Sequence, residues 1–195
     1  MLAGGCSVLS GGPGPEQFVL SPKSTFATDL PTTSVQLVIE EPFAAYGLNT
    51  VRIALQPDDY RLEYFSNVAW SDRAPAMVQT LIVESFENSG KIVAISRQSV
   101  DLRPDFILKT EMREFQAVLR GDTVPPDVLV QFNAKIVSMP QRLIFANNTF
   151  QSRAGAASRD LEAVVIAFDI ALGEVLKELI EWTLRTLPPS PVPRS

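Results

Sequence analysis

The sequence predicts an α/β chain, on the border with α+β: a mixed, largely antiparallel sheet flanked by helices. Three observations carry the prediction. At least six short segments show the strand period of two or a compact apolar run. One early and one late segment instead repeat apolar residues at helical spacing. Short breaks rich in Pro, Gly and Asp separate several of the strands, as hairpins require.

Residues 1–33 read as a terminal segment and flexible tether, with Gly11, Gly12, Pro13, Gly14 and Pro15 at their centre. Within it, Gln17 to Leu20 has the character of a short extended piece. A single domain then spans residues 34–187, and residues 188–195 form a Pro-rich tail that cannot continue a helix. Strands are expected at Val35–Ile39, Val51–Leu55 and Tyr60–Phe65, with Pro57 to Asp59 as a turn. A helix is expected from Pro75 through Phe86, because Pro is tolerated in a first turn whose N–H groups lack partners. Asn88, Ser89 and Gly90 end it.

Ile92–Ser96 reads as a further strand and Phe106–Arg120 as a long one. In the long strand the apolar parity changes. Phe106, Leu108 and Met112 share one face, whereas Phe115, Ala117 and Leu119 take odd positions. One extra residue flips the faces of a strand, so a β-bulge is expected near Arg113 and Glu114. Asp127–Val137 alternates cleanly after Val124, Pro125 and Pro126, and Arg142–Phe150 supplies the last strand. Ser158–Leu187 is a long helix with Ser158 as expected N-cap. Ile166, Ile170, Ile180 and Leu184 broaden its apolar face beyond one stripe, which means burial between layers or a contact with another subunit.

Composition narrows the function classes. The chain has 195 residues, 46% of them apolar, and a net charge of −5 without a basic cluster, which argues against nucleic acid or anionic headgroups as partners. There is no histidine, so Ser-His-Asp and Cys-His catalysis have no base, and the commonest zinc ligand is missing. No phosphate-binding glycine motif or EF-hand loop occurs, and no cofactor is expected. Glu111 and Glu114 flank the expected bulge, but Glu111 and Arg113 share a strand face and read as a surface ion pair. Tyr46, Tyr64 and Trp70 fall in an aromatic-rich stretch. They are candidate contacts for a partner or ligand, or simply cap the sheet core.

Cys6, the sole cysteine, follows small residues and precedes Ser7 and a Gly/Pro/Ser-rich stretch. That pattern suits the cleavage and acylation site of a bacterial lipoprotein; the other reading is an incidental thiol. Five residues precede Cys6, fewer than the apolar core of about 7–15 that a secretory leader carries. The leader is therefore expected to have been trimmed away or to be encoded upstream of Met1.

The segments Ala45 to Leu55, Leu62 to Phe65, Trp70 to Pro75, Val78 to Leu81, Glu84 to Gly90 and Leu108 to Ala117, with Ala167 and Phe168, occur in an order that resembles one family. It is that of the ABC-type transport auxiliary lipoproteins of Gram-negative bacteria. These accompany MCE (mammalian cell entry) proteins in intermembrane lipid transport, including the paraquat-inducible and toluene-tolerance types. The resemblance implies a periplasmic domain similar to the N-terminal domain of TolB-like proteins, acylated at Cys6 and held at the outer membrane. It implies a non-enzymatic role beside an MCE protein and an ABC permease and ATPase, with assembly into a ring of subunits as a further implication. A different expectation is a periplasmic module that carries a lipid or other apolar ligand in a pocket of its own.

Overall fold

Strand β8 (Phe106–Val118) organises the sheet. One edge pairs antiparallel along its full length with β9 (Asp127–Ser138), which pairs antiparallel with β10 (Leu143–Gly155). The other edge of β8 takes three short parallel partners in sequence: β2 (Thr33–Ile39), β3 (Phe43–Ala44) and β4 (Ala54–Asp58). Strand β7 (Ile92–Ser96) lies beyond β2, parallel to it, and β5 (Arg61–Tyr64) lies antiparallel to β4. A separate parallel pair joins β1 (Glu16–Phe18) to β6 (Val68–Trp70). Helices α1 (Ala74–Ser89) and α2 (Leu161–Thr186) complete the fold. This computed structural model describes residues 14–97, 103–119, 121 and 124–190.

The expected α/β class holds, with antiparallel ladders in the long strands and parallel pairings among the short ones. The parity change in β8 is a bulge: the register shifts between Met112 and Glu114, leaving Arg113 unpaired. Without that insertion Phe115 and Ala117 would face away from Leu108 and Met112; with it all four are buried in one core. The facing residues of β9, Val128, Val130, Phe132, Ala134 and Ile136, are fully enclosed beneath α2.

Several boundaries differ from expectation. The second expected strand, Val51–Leu55, shifts to Ala54–Asp58 and contains Pro57. Pro57 sits at a register irregularity between Leu55 and Asp58, where its missing N–H breaks no ladder. The last strand starts at Leu143 because Arg142 adopts a left-handed φ of 58°, and it runs on to Gly155. Its polar half, Gln151–Gly155, has little strand character and is held by register against Gln131–Asp127. Helix α2 begins at Leu161 with Asp160 as N-cap; Ser158, expected in that role, donates its hydroxyl to the Asp160 carboxylate instead.

The tether is corrected for residues 14–33, which pack on the domain. Leu20 and Leu30 are buried in the main core, with Phe18 and Phe26 against it. The strap is also pinned by polar contacts. The Ser21 N–H donates to Asp169 at 2.6 Å, the Lys23 N–H to the Ser85 hydroxyl at 2.9 Å, and the Ala27 N–H to Glu181 at 2.8 Å. Arg185 holds Asp29 through two guanidinium nitrogens, at 2.9 and 3.2 Å. After α2, the Thr33 hydroxyl donates to the Pro188 carbonyl and the Ser190 N–H to the Thr32 carbonyl. Residues 1–13, with Cys6, and residues 191–195 lie outside the described part of the chain.

Candidate functional site

The three aromatic candidates separate into three environments. Trp70 is 1% exposed and lies in the core, its ring centroid 5.1 Å from Phe168 and 5.9 Å from Phe115. As a surface contact it is therefore corrected: β6 places its indole inward, toward β8 and α2. Tyr64 is half-buried and acts as a latch. Its hydroxyl donates to the Gly47 carbonyl at 3.0 Å, and the Arg52 guanidinium stacks 3.6 Å above its ring. Tyr46 alone points outward, 93% exposed.

Beside Tyr46 an open groove of about 330 Å³ runs between the 45–48 loop, the β4–β5 hairpin and the bulge of β8. A Cβ at Gly47 would stand 2.6 Å from Leu62 Cδ2, the free end of an exposed side chain that would have to turn aside, and 3.6 Å from the Tyr64 hydroxyl. Several of the charged groups at the groove are bonded to neighbours. Asp58 accepts from the Tyr60 N–H at 3.0 Å and from Arg61 Nε at 2.7 Å. Those bonds, the Tyr60 N–H foremost, hold the Asp58 carboxyl below its usual range, and Asp58 in turn raises Arg61. Gln116 donates to Glu114 and to Gln56, and its own oxygen accepts the Phe115 N–H at 2.6 Å. Glu111 pairs with Arg113 at 3.2 Å, both half-exposed, as the surface-pair reading expects. A wide groove lined by such groups suits a polar chain or solvent better than an acyl chain.

Two other surfaces carry apolar groups that the fold leaves uncovered. Among the described residues strand β10 pairs only with β9, so its far edge has no strand partner there. At its start Leu143, Ile144 and Phe145 are 63%, 64% and 50% exposed, with a register shift between Ile144 and Ala146. On α2 the broad apolar face divides: Ile180 and Leu184 are buried, whereas Ile166 and Ile170 are exposed. The strap first meets the helix at Asp169 and then follows it past Glu174, Glu181 and Arg185, so its contacts fall beside the later part of α2. Periodicity alone could not separate Ile166 and Ile170 from Ile180 and Leu184, because all four share one helical face.

Comparison with known proteins agrees with the fold and the assembled blocks. The family model of the ABC-type transport auxiliary lipoprotein component matches residues 18–179, and the chain belongs to that family. The crystal structure of protein XCC0632 from Xanthomonas campestris superposes with a TM-score of 0.82 at 30% identity, covering 87% of this chain and 95% of that one. A second crystal structure, of an uncharacterized protein, shares the fold with a TM-score of 0.60 at 11% identity, over 89% of this chain and 95% of the other. An uncharacterized protein of Bradyrhizobium diazoefficiens, bll6063, is 29% identical over 183 residues, 92% of this chain. The chain spans about half, 48%, of that curated relative's length. The family is described as an auxiliary lipoprotein component of ABC-type transport, a role that fits a non-enzymatic chain. No described helix is long and apolar enough to cross a membrane.

Proposed function

We propose that the chain is a lipid-anchored, non-enzymatic docking component of an ABC/MCE-type lipid transport system, held at the periplasmic side of the outer membrane by acylated Cys6. The family match over residues 18–179 carries this reading. The MCE connection rests on the resemblance of the sequence blocks, and the anchor on Cys6 and the small residues around it. The open edge of β10, with Leu143, Ile144 and Phe145 at its start, supplies the docking surface, because an exposed strand edge accepts an extended partner chain through its backbone groups. Tyr46 adds an exposed aromatic beside the groove, and Tyr64 positions the loop that carries it. The alternative, a module that carries an apolar ligand itself, has less behind it: Trp70 lies in the core, and the groove nearby is open and lined by charged and polar groups.

The test uses the natural gene product with its leader. Separated membranes should contain the wild-type protein in the outer-membrane fraction, while Cys6→Ser releases it to the soluble periplasm. A photoreactive amino acid at Ile144 should cross-link to the MCE protein encoded with it. Unchanged membrane retention of Cys6→Ser would remove the anchor, and cross-links only to unrelated proteins would remove the docking role.

A further inference from the structure

We propose that the groove between the 45–48 loop, the β4–β5 hairpin and the bulge of β8 binds a neutral, hydroxyl-rich glycan chain. Tyr46 and Tyr60 are its stacking platforms, and Gln56, Asp59 and Glu114 its hydrogen-bonding groups. The site is separate from Cys6 and from the β10 edge, so it stands or falls independently of the anchor and the docking role.

The bulge builds the polar wall. In a regular strand successive side chains point to opposite faces. Arg113 and Glu114 are successive, yet both line the groove, together with Gln116. The extra residue at Arg113 permits this, and re-aiming a side chain is what a bulge beside a binding site does. The wall is also fixed in advance. Gln116 is 4% exposed, its oxygen accepts the Phe115 N–H at 2.6 Å, and its amide nitrogen donates to Glu114 and, at 3.2 Å, to Gln56. Gln56 accepts through Oε1, which leaves its own amide N–H groups to donate. Glu114 accepts through Oε2, which leaves Oε1 to accept again. Asp59 lines the groove with no ion pair or hydrogen bond of its side chain among the described residues, and adds a further open acceptor.

Charge and chemistry narrow the ligand class. Asp59 and Glu114 are balanced by Arg61 and Arg113, so the lining favours neither an anion nor a cation. Open donors and acceptors stand together, and a hydroxyl satisfies both because it donates and accepts at once. A peptide would bind through its backbone, but β4, which supplies Gln56, already has strand partners on both sides, β5 and β8. The tyrosines supply the other half of the recognition. Tyr46 is 93% exposed and Tyr60 96%, one from the loop and one from the hairpin. The C–H face of a pyranose ring packs on such an aromatic face, while the hydroxyls at its rim reach polar neighbours. Both carriers are held in place. The Ala45 carbonyl accepts the N–H groups of Leu48 and Asn49 at 2.8 and 2.9 Å, the Tyr64 hydroxyl holds the Gly47 carbonyl, and the Tyr60 N–H donates to Asp58 at 3.0 Å. Platforms formed beforehand lose little freedom when a ligand arrives.

The experiment titrates the full 195-residue chain with cellohexaose, maltohexaose and chitohexaose in a calorimeter. At least one of these neutral sugars should bind and shift the side-chain amide signals of Gln56 and Gln116 in nitrogen-edited NMR spectra. Tyr46→Ala and Tyr60→Ala should each weaken that binding about tenfold, as truncation of an aromatic anchor does. Tyr60→Phe, which keeps the ring, should bind within about threefold of wild type. Both tyrosines are exposed, so an unchanged urea midpoint certifies the fold of each variant. Binding of none of the three sugars overturns the proposal, and so does binding that survives Tyr46→Ala combined with Tyr60→Ala. Hexagalacturonate, an anionic chain of equal length, should bind no more tightly than the neutral sugars; tighter binding would overturn the neutral class. A blocked peptide of alternating glycine and threonine should not bind, and one that binds where the sugars do not would assign the groove to protein instead.

Discussion

The indole of Trp70 meets the ring of Phe168 edge-on, with centroids 5.1 Å apart and planes at 81°. Phe115 closes the triangle, 5.2 Å from Phe168 and 5.9 Å from Trp70. These rings join β6, β8 and α2 in one buried contact, beside the polar contacts of the strap. Trp70→Ala should cost about 3–5 kcal/mol, the range for emptying a large aromatic site in a core. Tyr46→Ala should stay within about 0.5 kcal/mol, since the ring is exposed. Urea unfolding of both variants checks the contrast. A small loss at Trp70 would mean that the indole does not pack this core.

The Asp29–Arg185 pair ties the strap to the last turn of α2 and should make the strap sensitive to acid. The hydrogen bond from Arg185, and then its charge, lowers the Asp29 carboxyl below its ordinary value of 3.8. Glu174, bonded to Lys23, is likewise lowered from 4.5. A carboxyl depressed in the folded state contributes its stability above the unfolded value, and loses it as pH falls through the folded one. Amide exchange around residues 23–29 should therefore stay constant from pH 7 to about 5, after correction for intrinsic rates, and accelerate below about 4. Both groups are solvated, so the effect on global stability is small. Asp29→Asn should speed exchange there already at pH 7 and flatten its acid response. A variant that keeps the wild-type pH response would show that Asp29 does not hold the strap.

Gly90 ends α1 in the left-handed conformation, φ 62°, and its N–H bonds to the Glu87 carbonyl at 3.0 Å. A Cβ there would meet nothing within 4 Å, so the cost of a side chain is conformational alone. Gly90→Ala should destabilise by about 1 kcal/mol, and Gly90→Asn by less, because Asn tolerates that region better. Thermal unfolding of the two variants separates them; equal melting temperatures would contradict the cap.

What was legible in the sequence is what local periodicity controls. The bulge at Arg113 followed from the parity of Met112 and Phe115, and the end of α1 from Gly90. The segments misread are those decided at long range. Residues 14–33 look like a linker because Gly and Pro dominate their start, yet Leu20 and Leu30 are buried by helices more than 40 residues away. Phe43–Ala44 is too short to show a period and is a strand only because β8 offers Glu111 and Met112 as partners. The aromatic candidates divided for the same reason. Sequence shows that Tyr46, Tyr64 and Trp70 are close along the chain, but the direction of each ring depends on which strand or loop carries it.

The open edge of β10 leads to the last prediction. From Leu143 to Ser152 the strand carries no Lys, Glu, Asp or Pro, the residues that usually protect an unpaired edge. An unprotected edge with three exposed apolar residues at its start is a template for another chain to extend the sheet. Ile144→Lys places a charge at that start, on a side chain that is 64% exposed. Stability should change by no more than about 0.5 kcal/mol, because no buried contact is removed. Association with the transport partner, read by co-sedimentation of the purified complex, should fall at least tenfold, since a charge forced against a partner strand must lose its water. The same loss with Tyr46→Ala, and none with Ile144→Lys, would move the docking surface from the β10 edge to the groove beside Gly47.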